Sequence, residues 1–527
     1  MRALLPLLVL ATPAVAAQRA PVPPRATLTQ LEVAHDRCKA TAPKGDRCLD
    51  LQLALARALI PTDPDRAARI ADQARRDVNA AMEARTAPLR PLHEKAEAGT
   101  ITPAEQAEID RVGALNAPLW LEMADIAEIE GDAGVRGGTA FYRMSAARYG
   151  TAVSIWRNDG TTPAHMRAQF RAAAKLIDSY IDSPGIAEGL PLARQALIDV
   201  TRAYGPDDPA TARIVLSLAD VLTGMGQTAE AEPLYDRALK GLATQPPDVL
   251  LDARARKARF LAAMDRTEAA EKLHRAVITD LLDGGGDPDR LVRAYLDLTP
   301  LVDPGEGLAL TSAALDLRRK QFGDQHVQTA RAKVAYARLL DGYQRFGEAD
   351  TLWREAIPVL ERHLRLTHPE TATAYLDWGS TLLGVRDIPA AQAAFGTARK
   401  ALQEAFGKRH PLVGRAMMFE AMVLTREGKG DPFGMMREAV EIVRETRAAT
   451  HYERVQAELA YAAMLLYGRR DAAAALAQVR IVTRAGLERA AAYRDFGTKA
   501  QREMRDFSGI FALQVRAAWE TAAQQKP

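Results

Sequence analysis

The sequence predicts an all-α fold, and three observations carry that reading. Ala, Leu, Arg and Glu dominate the composition, aromatic residues make up only 6%, and runs of β-branched residues are scarce; these proportions favour helices. Apolar residues recur at one-face helical spacing over 66–85, 103–130 and 140–156, the second stretch being introduced by the cap signal Thr102-Pro103. Finally, an alanine-rich two-helix pattern returns along the chain at a nearly constant interval.

The chain begins with a segment of a different kind. Met1-Arg2 gives a short positive start, and Ala3 to Ala17 is almost wholly apolar and ends in the small residues Ala14-Val15-Ala16-Ala17. A membrane-spanning helix needs about 20 apolar residues. The run therefore reads as a secretory signal over 1–17, cut after Ala16 or Ala17. Residues 18–26, with Pro21, Pro23 and Pro24, read as a flexible leader. The expected location is the periplasm of a Gram-negative bacterium. No later stretch is long and apolar enough to be an integral membrane span. The two cysteines of the chain, Cys38 and Cys48, lie close together near the mature N-terminus. In an oxidising compartment they form a candidate disulfide, a staple contributing at best about 2–3 kcal/mol for so small a loop.

Lys+Arg number 70 and Asp+Glu 67, a balance of +3 that becomes +2 once Arg2 is removed. A chain so close to neutral is not expected to bind nucleic acid, which requires a clustered basic face. No HExxH, GxSxG, GxGxxG or GxxxxGK[ST] motif occurs. Gly284-Gly285-Gly286-Asp287 has neither a strand before it nor a Lys-Ser/Thr after it, and reads as a loop. Glu128 and Glu130 lie two apart on a helix and face different ways, so they make no acid/base pair. No catalytic residue, metal site or cofactor is expected. The tryptophans Trp120, Trp156, Trp353, Trp378 and Trp519 sit in apolar helical contexts and read as core.

The repeat is clearest in its linkers. Gly323-Asp324-Gln325-His326, Leu366-Thr367-His368-Pro369 and Lys408-Arg409-His410-Pro411 place histidines 42 residues apart. Asp207-Asp208-Pro209 and Gly286-Asp287-Pro288 are earlier versions. His326, His368, His410 and His451 are expected to cap or pack at helix starts. Ala196, Ala238, Ala276, Ala314, Ala356, Ala398 and Ala439 follow at intervals of 42, 38, 38, 42, 42 and 41.

This pattern resembles the tetratricopeptide repeat in its longer, kinesin-light-chain-like form. The family's small residue in the first helix falls here on Ala219, Ala337 and Gly379. Its small residue opening the second helix falls on Ala231, Ala349 and Ala391. Its large apolar residue falls on Tyr235, Trp353 and Phe395, and its last small residue on the seven alanines. The resemblance covers about 162–486. Thr311 and Met436 depart from it at the aromatic, Gly307 and Pro432 at the second-helix alanine. It implies a right-handed α-solenoid of helical hairpins over 161–486, with irregular capping hairpins over 27–160 and capping helices over 487–527. It also implies a non-catalytic scaffold that holds an unidentified protein or peptide in a concave groove lined by the first helices. Carried onto this chain, the groove positions include Arg213, Leu216, Asp220 and Thr223, then Arg331, Val334, Arg338 and Asp341, then Thr373, Leu376, Ser380 and Leu383. The set lacks the asparagine ladder with which peptide-binding members clamp a peptide backbone. Phe511 to Trp519 is similar to the helix joining repeats to the protease domain in bacterial proteins with caspase-like domains. No cysteine follows Cys48, so that chemistry has no nucleophile here. The alternative readings are a repeat-containing envelope enzyme and the regulatory half of a separately encoded caspase-like protease system.

Overall fold

The computed structural model describes residues 26–524, except 43–45, 138–141, 160–161, 182–185, 265, 285–286, 429, 448, 450 and 493–497. The signal and leader over 1–25 lie outside the described residues. Every regular element described is helical. The chain divides into two compact units, Met1–Arg256 and Lys257–Pro527.

The first unit opens with the helix Leu28–Thr41. Thr27 starts it with a capping box: the Gln30 N–H donates to Thr27 Oγ1 at 3.3 Å and the Thr27 N–H to Gln30 Oε1 at 2.9 Å. Cys38 near its end is bridged to Cys48, with 5.9 Å between the Cα atoms. Both sulfurs are buried beside Leu51, so the staple fastens this helix to Leu49–Leu59. Next come Pro64–Thr86, capped by Asp63, and the 35-residue Pro103–Gly137. Leu53, Ala74, Val78, Leu119, Ile126 and Ile129 form their common core. The Glu128 and Glu130 carboxylates are not aimed at each other. Glu128 accepts two hydrogen bonds from Arg171 and one from Lys175, whereas Glu130 faces Arg75 and Arg148.

Regular hairpins follow: Pro163–Asp178 with Ile186–Tyr204, then Pro209–Gly224 with Thr228–Leu242. The helix Pro247–Ala263 contains the division at Arg256. In the second unit the hairpins continue as Pro288–Leu298 with Pro304–Phe322, Val327–Gly342 with Phe346–Leu364, Pro369–Gly384 with Ile388–Phe406, and Pro411–Glu427 with Pro432–Thr446. Helix Tyr452–Ala463 runs into a π-helical turn, Met464–Gly468, before Ala472–Ala492 and Thr498–Gln524. The expected repeat end at 486 falls inside Ala472–Ala492.

The hairpins close because small residues stand where helices cross. Ala219, Ala231, Ala337, Ala349, Ala356, Ala391 and Ala398 are fully buried. The large residues Tyr235, Trp353 and Phe395 fill the space beside them, each no more than 1% exposed. Gly379 has no room even for a methyl group, since a Cβ there would lie 2.5 Å from the Phe395 ring.

The linker histidines act as caps. His326, His368, His410 and His451 each accept, through Nδ1, the N–H two residues on, at 3.2–3.3 Å. Asp208 and Asp287 do the same through a carboxylate. A cap of this kind satisfies one of the orphan N–H groups of a helix start. Phe322 and Phe406, closing the preceding helices, stack on His326 and His410 at 4.4 and 4.2 Å.

Two readings need correction. Ala276 is exposed; in that helix the buried set is Ala270, His274, Val277 and Leu281, so the register lies one residue further on. A histidine thus occupies the aromatic slot. Trp120 and Trp519 are not core, being 45% and 68% exposed, whereas Trp156 and Trp353 are buried.

Between hairpins the chain passes through positive φ at Gly323, Arg365 and Gly407, all with extended ψ. That region is nearly exclusive to glycine and costs other residues about 1–3 kcal/mol. Arg365→Gly is therefore expected to raise stability by about 1 kcal/mol, read as a higher urea midpoint; an unchanged midpoint would show that Arg365 is not strained.

Candidate functional site

The residues expected to line a groove fall into three groups. Leu216, Val334 and Leu376 are buried and belong to the core. Thr223, Thr373 and Ser380 donate their hydroxyls to carbonyls of their own helices. Two of the charged residues, Arg331 and Arg338, are engaged with a neighbouring repeat. Arg331 makes a two-point ion pair with Glu370, at 2.7 and 2.6 Å, and Arg338 pairs with Asp377 at 2.7–2.8 Å. Both partners lie on the first helix of the next hairpin, 39 residues on. Arg259 and Asp297 repeat the arrangement at 3.7 Å.

Asp220 is buried in a five-residue knot. Arg256 donates to Asp220 at 2.8 Å, to Asp178 at 3.0 and 2.7 Å and to Asp252 at 2.9 Å, and Tyr235 Oη donates to Asp220 at 2.6 Å. Burial opposes the Arg256 charge, but the three carboxylates outweigh it and hold the guanidinium well above its ordinary pKa. Asp341 is likewise internal: its Oδ2 accepts from Thr381 at 2.6 Å and from Trp353 Nε1 at 3.3 Å. Burial pushes this carboxyl up, and the charge of Asp377 adds to the effect. Arg213 makes no ion pair among the described residues and is half-buried.

Further along the same series of first helices, the surface changes character. Leu383 from Pro369–Gly384, Met422, Thr425 and Arg426 from Pro411–Glu427, and Ala460, Ala463 and Tyr467 across the next helix and its π-turn line an open cleft of about 560 Å³. Its walls are mainly carbon. Met422 is 38% and Tyr467 61% exposed. The π-turn is what presents Tyr467: the Arg469 N–H reaches Met464 O at 3.1 Å, widening the last turn of the helix. Such bulges are frequent at functional sites. Arg426 is the one charged residue in the lining, and it makes no ion pair among the described residues.

Residues 185–243 match the tetratricopeptide repeat family. The chain carries tetratricopeptide repeats. Solved structures similar to it include the kinesin light chain TPR-like repeats of Podosopora anserina, 15% identical, over 38% of this chain and 96% of that one, with a TM-score of 0.34. The apo form of RapI is 9% identical over 67% of this chain and 98% of that one, with a TM-score of 0.46. Yeast Tom70 is 12% identical over 95% and 96%, with a TM-score of 0.39. No curated protein matches the chain.

The sequence puts Leu383 among the groove positions but not Met422, Arg426 or Tyr467, which line the cleft with it. The readable signal was Met422, 42 residues after Ser380, hence at the same repeat position with an apolar side chain. The π-turn left no such signal. Nor did the sequence single out His274, which is fully buried with neither ring nitrogen hydrogen-bonded. Among the described residues, no group of three or more His, Cys, Asp or Glu could hold a metal ion, and no helix is long and apolar enough to cross a membrane.

Proposed function

We propose that this chain is an exported, non-catalytic scaffold of the cell envelope that holds a partner polypeptide along its first helices, seated in the cleft between Leu383 and Tyr467. One observation carries the reading. Arg331 and Arg338 on the first-helix series are neutralised by the neighbouring repeat, while the cleft leaves Met422 and Tyr467 open to solvent. Exposed contiguous apolar surface of this kind marks interaction sites. The segment over 1–17 supports export.

A photo-crosslinking amino acid at Tyr467 tests the site. It is expected to trap a defined polypeptide, and Met422→Glu is expected to reduce that product at least tenfold without changing the melting temperature. The same label at Glu438, exposed on a second helix, should trap none. A product that survives Met422→Glu would place binding elsewhere. Export is checked by N-terminal sequencing: a start at Ala17 or Gln18 in the periplasmic fraction is expected, and an intact Met1 in the cytosol would overturn it.

A further inference from the structure

The first half of helix Tyr452–Ala463 and the second half of helix Ala472–Ala492 enclose a pocket of about 190 Å³. Ile481 and Ala485 give it a carbon wall, and Arg454, Arg480 and Arg484 stand around it. A cavity of about 150 Å³ holds one benzene-sized molecule. This pocket therefore admits a single small group and not a length of chain.

The charges decide which group. Glu458 is only 3% exposed and already engaged: it accepts from Arg444 at 2.9 Å, from Arg454 at 3.0 Å and from Gln478 at 3.3 Å. Its charge is cancelled by Arg444, which spends Nε on Glu458 and Nη2 on Gln478. Arg454 is held from two sides, by Glu458 through Nε and by the Arg447 carbonyl through Nη1 at 3.1 Å, which leaves Nη2 to spare. Arg480 and Arg484 are exposed and make no ion pair among the described residues. They stand one turn apart on one helix face, where like charges repel. Glu488, at the far end of the pocket lining, makes no ion pair among the described residues either. Three guanidiniums against the one carboxylate of Glu488 leave a net charge of +2. A carboxylate or a phosphodiester, with a single negative charge, balances half of that. A phosphate monoester carries about −1.5 to −2 at pH 7 and offers three acceptor oxygens, and guanidinium forks match its geometry.

We infer that this pocket binds a phosphate monoester group. Arg454 is the pre-set donor, its guanidinium fixed from behind by Glu458, and Arg480 and Arg484 close on the remaining oxygens. Two sources present such a group: a small phosphorylated molecule, and a membrane lipid whose headgroup is a phosphate monoester. Ile481 and Leu487, 50% and 52% exposed beside the arginines, meet the carbon portion of either.

Calorimetric titration of the full chain with phenyl phosphate and with benzoate tests this, since the two differ in the anionic group carried by one ring. Phenyl phosphate is expected to bind about tenfold or more tightly than benzoate. Arg480→Gln and Arg484→Gln should each weaken it about tenfold or more through the lost charge-assisted hydrogen bond, while circular dichroism and the melting temperature stay unchanged. Glu488→Gln should tighten it, because one opposing charge is gone. Arg516→Gln, outside the pocket, should leave it unaltered. Flotation with phosphatidylcholine vesicles containing either phosphatidic acid or phosphatidylglycerol separates the sources. Retention on phosphatidic acid alone, lost in Arg484→Gln, supports the site and assigns it to a lipid. Retention on neither, with phenyl phosphate bound, supports the site and assigns it to a small molecule. No binding of phenyl phosphate, equal affinity for benzoate, equal retention on the two anionic lipids, or an affinity unmoved by both arginine variants would each overturn the inference.

Discussion

Replacing Arg256 by methionine is expected to destabilise the first unit by about 3–5 kcal/mol, the cost of removing one partner from a buried ion cluster. The reason lies in what remains. Arg256 is the cation shared by Asp178, Asp220 and Asp252, and its side chain is only 13% exposed. Without it, three carboxylates lose their shared cation, while Tyr235 still donates to Asp220. Methionine keeps most of the stem volume, so the loss reports charge rather than a cavity. Adding Asp178→Asn and Asp220→Asn should recover much of it, because the repulsion is then gone. Urea melts followed by helicity provide the measurement. A loss below about 1 kcal/mol would mean that the carboxylates turn out to water.

The second large effect concerns pH. His274 is fully buried, and burial, with the charge of Arg259 adding, pushes its pKa down from 6.5 to about 4. The folded chain thus favours the neutral ring. Above pH 6.5 the ring is neutral in both the folded and unfolded states and pH has no effect through it. As pH falls from 6.5 towards 4 the unfolded chain gains a proton that the folded one refuses, and stability is lost, by up to about 3 kcal/mol. Burial also lowers the pKa of His368 and His410, whose Nδ1 atoms must stay unprotonated to cap, so they act in the same direction. His274→Phe isolates the buried ring. Tyr235, Trp353 and Phe395 show that the slot takes an aromatic. The variant should melt only slightly higher than wild type at pH 8 and much higher at pH 4.5, with hydrogen exchange in Thr267–Asp283 slowed most. An equal gain at both pH values would assign the effect to packing alone. The acid loss from Glu128 falls in a lower window, because Arg171 and Lys175 outweigh burial and hold its pKa at about 2, against an ordinary 4.5.

The fold was legible because the requirement for close helix crossing selects alanine at fixed intervals, and Ala356, Ala398 and Ala439 declare it in the sequence. Where a repeat changes length the alanine count misleads, as at Ala276, because a neighbouring alanine is exposed and the buried position carries Val277. The linker histidines were legible as helix starts for a physical reason: a ring nitrogen two residues before an orphan N–H can cap it. The candidate site was less readable. Arg331 and Arg338 fall at groove positions, but whether a charge meets a partner or a neighbouring repeat depends on Glu370 and Asp377, 39 residues away. Nor does any local propensity announce the π-turn that presents Tyr467. Trp519 looked like core because helical periodicity cannot tell a buried face from an unpartnered one.

The ion pairs between successive first helices have a mechanical consequence. Arg331–Glu370 and Arg338–Asp377 each bridge one hairpin to the next, so they act as tie-rods against relative rotation of the two. A stack of hairpins bends by adding up small rotations at each junction, and its stiffness is set by the softest of them. Where the cleft begins, the corresponding tie from Arg415 back to Asp377 is longer, at 3.7 Å. That junction is held less tightly than the one before it, and filling the cleft beside it would stiffen the joint.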